Sequence, residues 1–234
     1  MQLSPDTVVI ARWGAVTISA TLVFTWLTML LLVVAAAAIT RRLVARPPVG
    51  RLQVVLETVV EGLTDQIREI TGQDPEPYLP FIGTLFLFIL TSNLLTIVPG
   101  YQAPTGSLST TVALALCVFF AVPIYGISSI GLRRYLRSYL QPTPLMLPFQ
   151  IIAEFSRTLA LAMRLFGNIM SGNLITAILL SIVPFFVPVL MQALGLVFGV
   201  IQAYVFSVLA LVYISSAATI QRHEPAPAVE SSHE

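Results

Sequence analysis

The 234-residue chain is 56% hydrophobic and 10% charged, with a net charge of +1, whereas soluble domains carry about 25% charged residues. So little polar surface cannot coat a water-facing globule of this length, and a near-neutral chain offers no basic field for nucleic acid. Lysine is absent, which removes any phosphate-binding loop ending in Lys-Ser or Lys-Thr, and the two histidines, His223 and His233, sit together in the tail away from any metal-ligand spacing.

The first apolar run, Gly14–Ile39, is longer than the roughly 7–15-residue core of a secretory leader. The arginine cluster follows it rather than preceding it, so it reads as a membrane span. Val49–Ile70 differs in character. Leu52, Val55, Leu56, Val59, Val60, Leu63, Ile67 and Ile70 recur at three- and four-residue spacing, opposite Arg51, Glu57, Glu61, Asp65, Arg68 and Glu69. That pattern predicts an amphipathic helix lying on the membrane interface or against partner helices, ended by Gly72, Pro75 and Pro77.

Leu79–Val98 and Ser109–Gly131 each reach the roughly 20 residues a crossing needs, and Cys117 inside the second reads as a small hydrophobe. Phe149–Val183 and Val189–Ile220 are longer than a perpendicular crossing, with Pro184 and Pro188 between them, so the pair is expected to form a tilted hairpin. The tail from His223 to Glu234 reads as a short disordered end. The fold class is therefore all-α: one polytopic membrane domain of five transmembrane helices, one interfacial helix and a long C-terminal hairpin.

Arg41, Arg42, Arg46 and Arg51 follow the first span, Arg133, Arg134 and Arg137 the third, and Arg222 the fifth. Five crossings put all three clusters on one side, which the positive-inside rule makes the cytoplasm. The N-terminus is then outside and the C-terminus cytoplasmic.

The charged residues of the fourth span carry the functional signal, because a mid-bilayer arginine costs about 2.5–3.5 kcal/mol on insertion scales. Arg157, Arg164, Asn168 and Ser171 share one helical stripe, with Glu154 at its edge. Glu154 and Arg157, three residues apart, are expected to pair. Arg164 has no acid at helical spacing on its own helix, so its counter-ion must come from elsewhere. On the fifth span Gly195 and Gly199 form a small-xxx-small pair suited to close helix packing, with Gln192 and Gln202 on nearly the same face and Tyr213 further along. No Ser-His-Asp set can assemble within the membrane, so the chain is expected to be non-catalytic on its own.

The run Leu161-Ala162-Met163-Arg164-Leu165-Phe166-Gly167-Asn168, followed by Ser171-Gly172, resembles the signature of subunit a of F-type ATP synthases. Gln202-Ala203-Tyr204-Val205-Phe206, then Val212-Tyr213-Ile214-Ser215, is similar to the last helix of that family, and Asn93-Leu94-Leu95 leading to Pro99-Gly100 to its second span. The resemblance implies that Arg164 faces a carboxylate on each subunit of the rotor c-ring, with Asn168 and Gln202 as polar neighbours at that interface. It implies the c-ring, the peripheral-stalk subunit b and the rest of the synthase as partners, a bacterial inner (plasma) membrane as location, and no cofactor.

The family often carries an acid or histidine nine residues after the arginine and seven before the glutamine, and another acid fourteen before the arginine; here these are Asn173, Gly195 and Gln150. The outer half-channel thus reads as neutral, lined by Asn173, Ser171 and Gln192, with Glu154, Arg157 and Tyr213 toward the cytoplasmic path. The pattern resembles the N-type branch, some of whose rotors carry sodium, so the ion is proton or, alternatively, sodium. A rival reading is a secondary transporter in which Arg164 binds an anionic substrate.

Overall fold

The computed structural model describes residues 9–13, 16–41, 51–98, 100–133, 147–182 and 187–219. Arg42, Arg46, Arg134, Arg137, Arg222, Pro184 and the tail from His223 lie outside them.

Two short strands open the described chain: β1 (Val9–Trp13) and β2 (Val16–Ser19), paired antiparallel. The β-branched run Val16-Thr17-Ile18 favours the extended backbone. The first span therefore starts later than its hydrophobicity suggests: α1 is Ala20–Thr40, and the residues just before it pair with β1. Apolar length alone does not separate a strand from the helix it feeds.

The other helices follow the expected order: α2 (Arg51–Thr71), α3 (Leu79–Leu94), α4 (Leu108–Ile130), α5 (Leu147–Ile182) and α6 (Val187–Thr219). Among the described residues, α1, α3, α4, α5 and α6 are long and apolar enough to cross a membrane, and α2 is not. Gly72 ends α2 at φ +61°, a left-handed conformation that glycine adopts without steric cost. Two 3-10 turns, Leu95–Ile97 and Pro104–Gly106, bring the chain from α3 into α4.

The core forms around α6, which packs on α2, α3, α4 and α5. Its Ala203, Phe206, Ala210, Leu211 and Ile214 join Ile82, Leu85 and Ile89 of α3, Val118 and Val122 of α4, and Leu161 and Leu165 of α5 in one buried cluster. The amphipathic α2 adds Ile67 to that cluster. Tyr204 of α6 donates a hydrogen bond to Gln66 of α2 at 2.8 Å. The pair is exposed, so Tyr204→Phe is expected to cost about 1 kcal/mol or less in thermal unfolding. A larger loss would mean that this bond carries the docking of α2.

At the opposite end of α3, Tyr101 reaches α1. Its hydroxyl is 2.8 Å from Thr28 Oγ1 and its ring meets Phe24 edge-on at 5.1 Å. Burial raises the phenol above its ordinary value, and the Thr28 bond offsets part of that shift. Tyr101 is therefore a neutral hydrogen-bonding group at physiological pH.

Helix α5 is unlike the rest. It has 36 residues, about 54 Å at 1.5 Å per residue, against a hydrocarbon core of about 30 Å. Of its side chains only Leu161, Ala162 and Leu165 are buried within the chain, while Phe149, Ile152, Phe155, Ile178 and Ile182 are exposed by 60% or more. A helix this apolar and this uncovered requires lipid or another protein against it.

Candidate functional site

Arg164 lies on the uncovered side of α5. Leu161, Ala162 and Leu165 turn into the core at 1%, 2% and 0% exposure, and at 100° per residue Arg164 projects about 100° to the side of the middle of that buried arc. Arg164 is accordingly exposed. Among the described residues it makes no ion pair and no side-chain hydrogen bond; the two ion pairs are Asp65–Arg68 and Glu154–Arg157. It shares a face of small, exposed side chains, Ala153, Ser156, Ala160 and Ser171, with Arg157, and unlike Arg157 it has no acid beside it.

A cleft of about 560 Å³ opens between α5 and α6 at the end of the bundle that carries the 3-10 turns. Of the residues singled out above, it gathers Asn168, Ser171, Asn173, Gln192, Gly195, Gly199 and Gln202, along with Asn93 and Thr96 of α3 and the turn after it. Every polar group in that lining is an amide or a hydroxyl. Gln192 Nε2 donates to the Thr96 carbonyl at 3.0 Å, and Ser171 Oγ donates to the Asn168 carbonyl at 3.1 Å. Asn168 Nδ2 donates to Gln202 Oε1 at 3.4 Å, leaving the Gln202 amide nitrogen buried and without a partner among the described residues. Gln202 is only 6% exposed, so within this chain it sits behind Asn168 and not on the outer surface.

Glu154, Arg157 and Tyr213 form a separate group toward the other end of α5. Arg157 Nη1 is 3.8 Å from Glu154 Oε2, and its guanidinium lies 5.8 Å from the Tyr213 ring centroid. The Glu154 side chain keeps 18% exposure and that of Arg157 keeps 50%, and at 3.8 Å the pair is a loose one. Arg164 lies between the two groups, two helical turns or about 10 Å beyond Arg157.

The two glycines of α6 differ. A Cβ on Gly199 would fall 2.7 Å from Asn93 Cβ, whereas one on Gly195 would meet nothing within 4 Å. Close packing within the chain therefore belongs to Gly199 alone, and Gly195 keeps the cleft open. Asn93 was legible in the sequence only as part of a resemblance. Its amide donates to the Gly199 carbonyl at 2.9 Å and accepts from Thr105 Oγ1 at 2.9 Å. The available signal was an amide within an apolar run long enough to cross a membrane. Among the described residues no group of three or more His, Cys, Asp or Glu is placed to hold a metal.

The profile of the family described as ATP synthase A chain matches residues 22–215. The chain belongs to that family. It is 66% identical over 230 residues to ATP synthase subunit a 2 of Picosynechococcus sp., covering 98% of this chain and 99% of that one. It is 57% identical over 233 residues to ATP synthase subunit a 2 of Acaryochloris marina, covering all of both. With ATP synthase subunit a of Albidiferax ferrireducens it shares 54% identity over 227 residues, 97% of this chain and 98% of that one. Family membership and five helices of crossing length make it an integral membrane protein.

Proposed function

We propose that this chain is the ion-translocating stator of a rotary ATP synthase, holding Arg164 against a carboxylate carried by each subunit of a c-ring. The observation that supports this most is the placement of Arg164: exposed on a mostly uncovered helix, with no acid of its own chain beside it. An arginine at mid-depth of a membrane needs a counter-charge, and here another polypeptide has to supply it.

The chemistry follows from the charge. A guanidinium stays charged at any working pH. A rotor carboxylate brought near it has its own pKa lowered and releases its bound ion. The ionised carboxylate then moves past and reloads on the other side. Two offset water paths complete the cycle. The neutral cleft lined by Asn168, Ser171, Asn173 and Gln192 serves the outer side, and the Glu154–Arg157–Tyr213 group serves the cytoplasmic side. Arg164 between them repels cations and blocks a direct leak. Gln202 and Asn168 sit beside it as neutral polar neighbours. The ion is a proton or, alternatively, sodium. ATP chemistry belongs to other subunits, and the peripheral-stalk subunit b holds this one still. The assignment implies a bacterial inner membrane, with the N-terminus outside and the C-terminus cytoplasmic.

The small side chains around Arg164 suit a partner that passes closely. Single cysteines replacing Ala160 or Ser171, both exposed on the Arg164 face, are expected to crosslink to cysteines on the outer helix of the ring subunit. A cysteine at Val122, 2% exposed in the core, is not. Absence of any crosslink from positions 160 and 171 under several oxidants would remove the ring from that face.

A further inference from the structure

We infer that Asn93 is a positioning residue for ion translocation: its amide sets the register of α6 against α3 at Gly199, and so places Gln202 beside Asn168 and Arg164. The inference rests on the reading of Arg164 given above.

Asn93 is 6% exposed, and both ends of its amide are used, one toward Thr105 and one toward the Gly199 carbonyl. Its neighbours along α3, Leu85, Phe88 and Ile89, are buried and apolar. An amide in such surroundings must be satisfied, and only one axial setting of α6 offers it that carbonyl. A slip of one residue moves α6 by about 1.5 Å and breaks the bond. Gly199 reinforces the same setting from the other side, since the 2.7 Å between its would-be Cβ and Asn93 Cβ leaves room for hydrogen alone. Contact and hydrogen bond thus fix one level of one helix pair.

That level is the turn before Gln202. The Asn168–Gln202 bond is already long at 3.4 Å, so a displacement of a few tenths of an ångström lengthens it past useful geometry. Asn168 in turn is one helical turn beyond Arg164 and shares its stripe. The Gln202 amide nitrogen is buried and without a partner among the described residues, so the Asn168 contact is the side-chain hydrogen bond that holds this amide. Asn93 lies at the back of the cleft, and its role is to decide where Gln202 and Asn168 are held.

The test uses the complete synthase in inverted membranes, driven by ATP, with membrane potential read by a voltage-sensitive dye and expressed per ATP hydrolysed. This ratio responds to either ion, and a merely lowered amount of complex leaves it unchanged. Asn93→Leu, close in size and without hydrogen bonds, is expected to lower the ratio about tenfold or more, as misplacements near 1 Å do at reacting sites. Thr105→Val removes only the bond to the turn and keeps Asn93 on Gly199, so its ratio should stay within about twofold of the native value. A native ratio in Asn93→Leu overturns the inference, as does an equal fall in Thr105→Val, which would indicate general damage to a buried polar cluster. If Asn93→Leu fails to assemble, Gly199→Ala decides the same point. It keeps every hydrogen-bonding group and displaces α6, so an unchanged ratio there also overturns the idea. Arg164→Ala in the same assay separates the two readings: coupling that survives its loss defeats the proposed function, whereas coupling lost there but retained in Asn93→Leu defeats only the role of Asn93.

Discussion

Arg164→Ala is expected to abolish ion-coupled ATP synthesis while the chain still inserts and assembles. The side chain is exposed and makes no bond within the described chain, so its removal opens no cavity and leaves no buried partner unsatisfied. What disappears is the field at the passing carboxylate. Two unit charges 4 Å apart in an effective dielectric of 20 interact by about 4 kcal/mol, which corresponds to about three pKa units on the carboxylate. Without that shift the ion does not leave on approach, and synthesis should fall by about a hundredfold or more. Arg164→Lys keeps the charge but replaces a planar, weakly hydrated fork with a compact, strongly hydrated point, so partial activity at most is expected. ATP synthesis driven by an imposed ion gradient in vesicles, alongside immunodetection of the subunit, reads both halves. Native synthesis in Arg164→Ala would end the assignment.

Gly199→Val should destabilise the chain where Gly195→Val does not. A Cβ at position 199 would overlap that of Asn93 at 2.7 Å, and Cβ atoms cannot swing away as the far end of a flexible side chain can. Overpacking of this kind typically costs about 1–3 kcal/mol, and separation of the helices also weakens the Asn93–Gly199 bond of 2.9 Å. Thermal unfolding in detergent should register a lower midpoint. Gly195→Val, four residues earlier on the same helix, meets nothing within 4 Å and should unfold at the native midpoint, while its side chain narrows the cleft and slows turnover. Equal midpoints for the two variants would refute the close approach at Gly199.

These two residues also mark what a linear reading can reach. Gly195 and Gly199 look alike in sequence, a small residue every fourth position, and no local rule distinguishes them. Their difference lies in Asn93, 106 residues away from Gly199. Gln202 shows the same limit: its amide invites a polar role, but its near-complete burial behind Asn168 follows from how α5 crosses α6. The late start of α1 is another case, since hydropathy does not report that residues 16–19 pair with a strand.

By itself the sequence determined the membrane setting, the helical class, the amphipathic α2 and the prominence of Arg164. Each depends on local quantities: the length of apolar runs, the period of hydrophobic side chains, and the cost of a charge at mid-depth, which holds in any fold. Tertiary structure decided which amides meet, which glycine is crowded, and that Arg164 is left exposed on α5. Those are properties of helix crossings, set by side chains distant in sequence that share one buried surface.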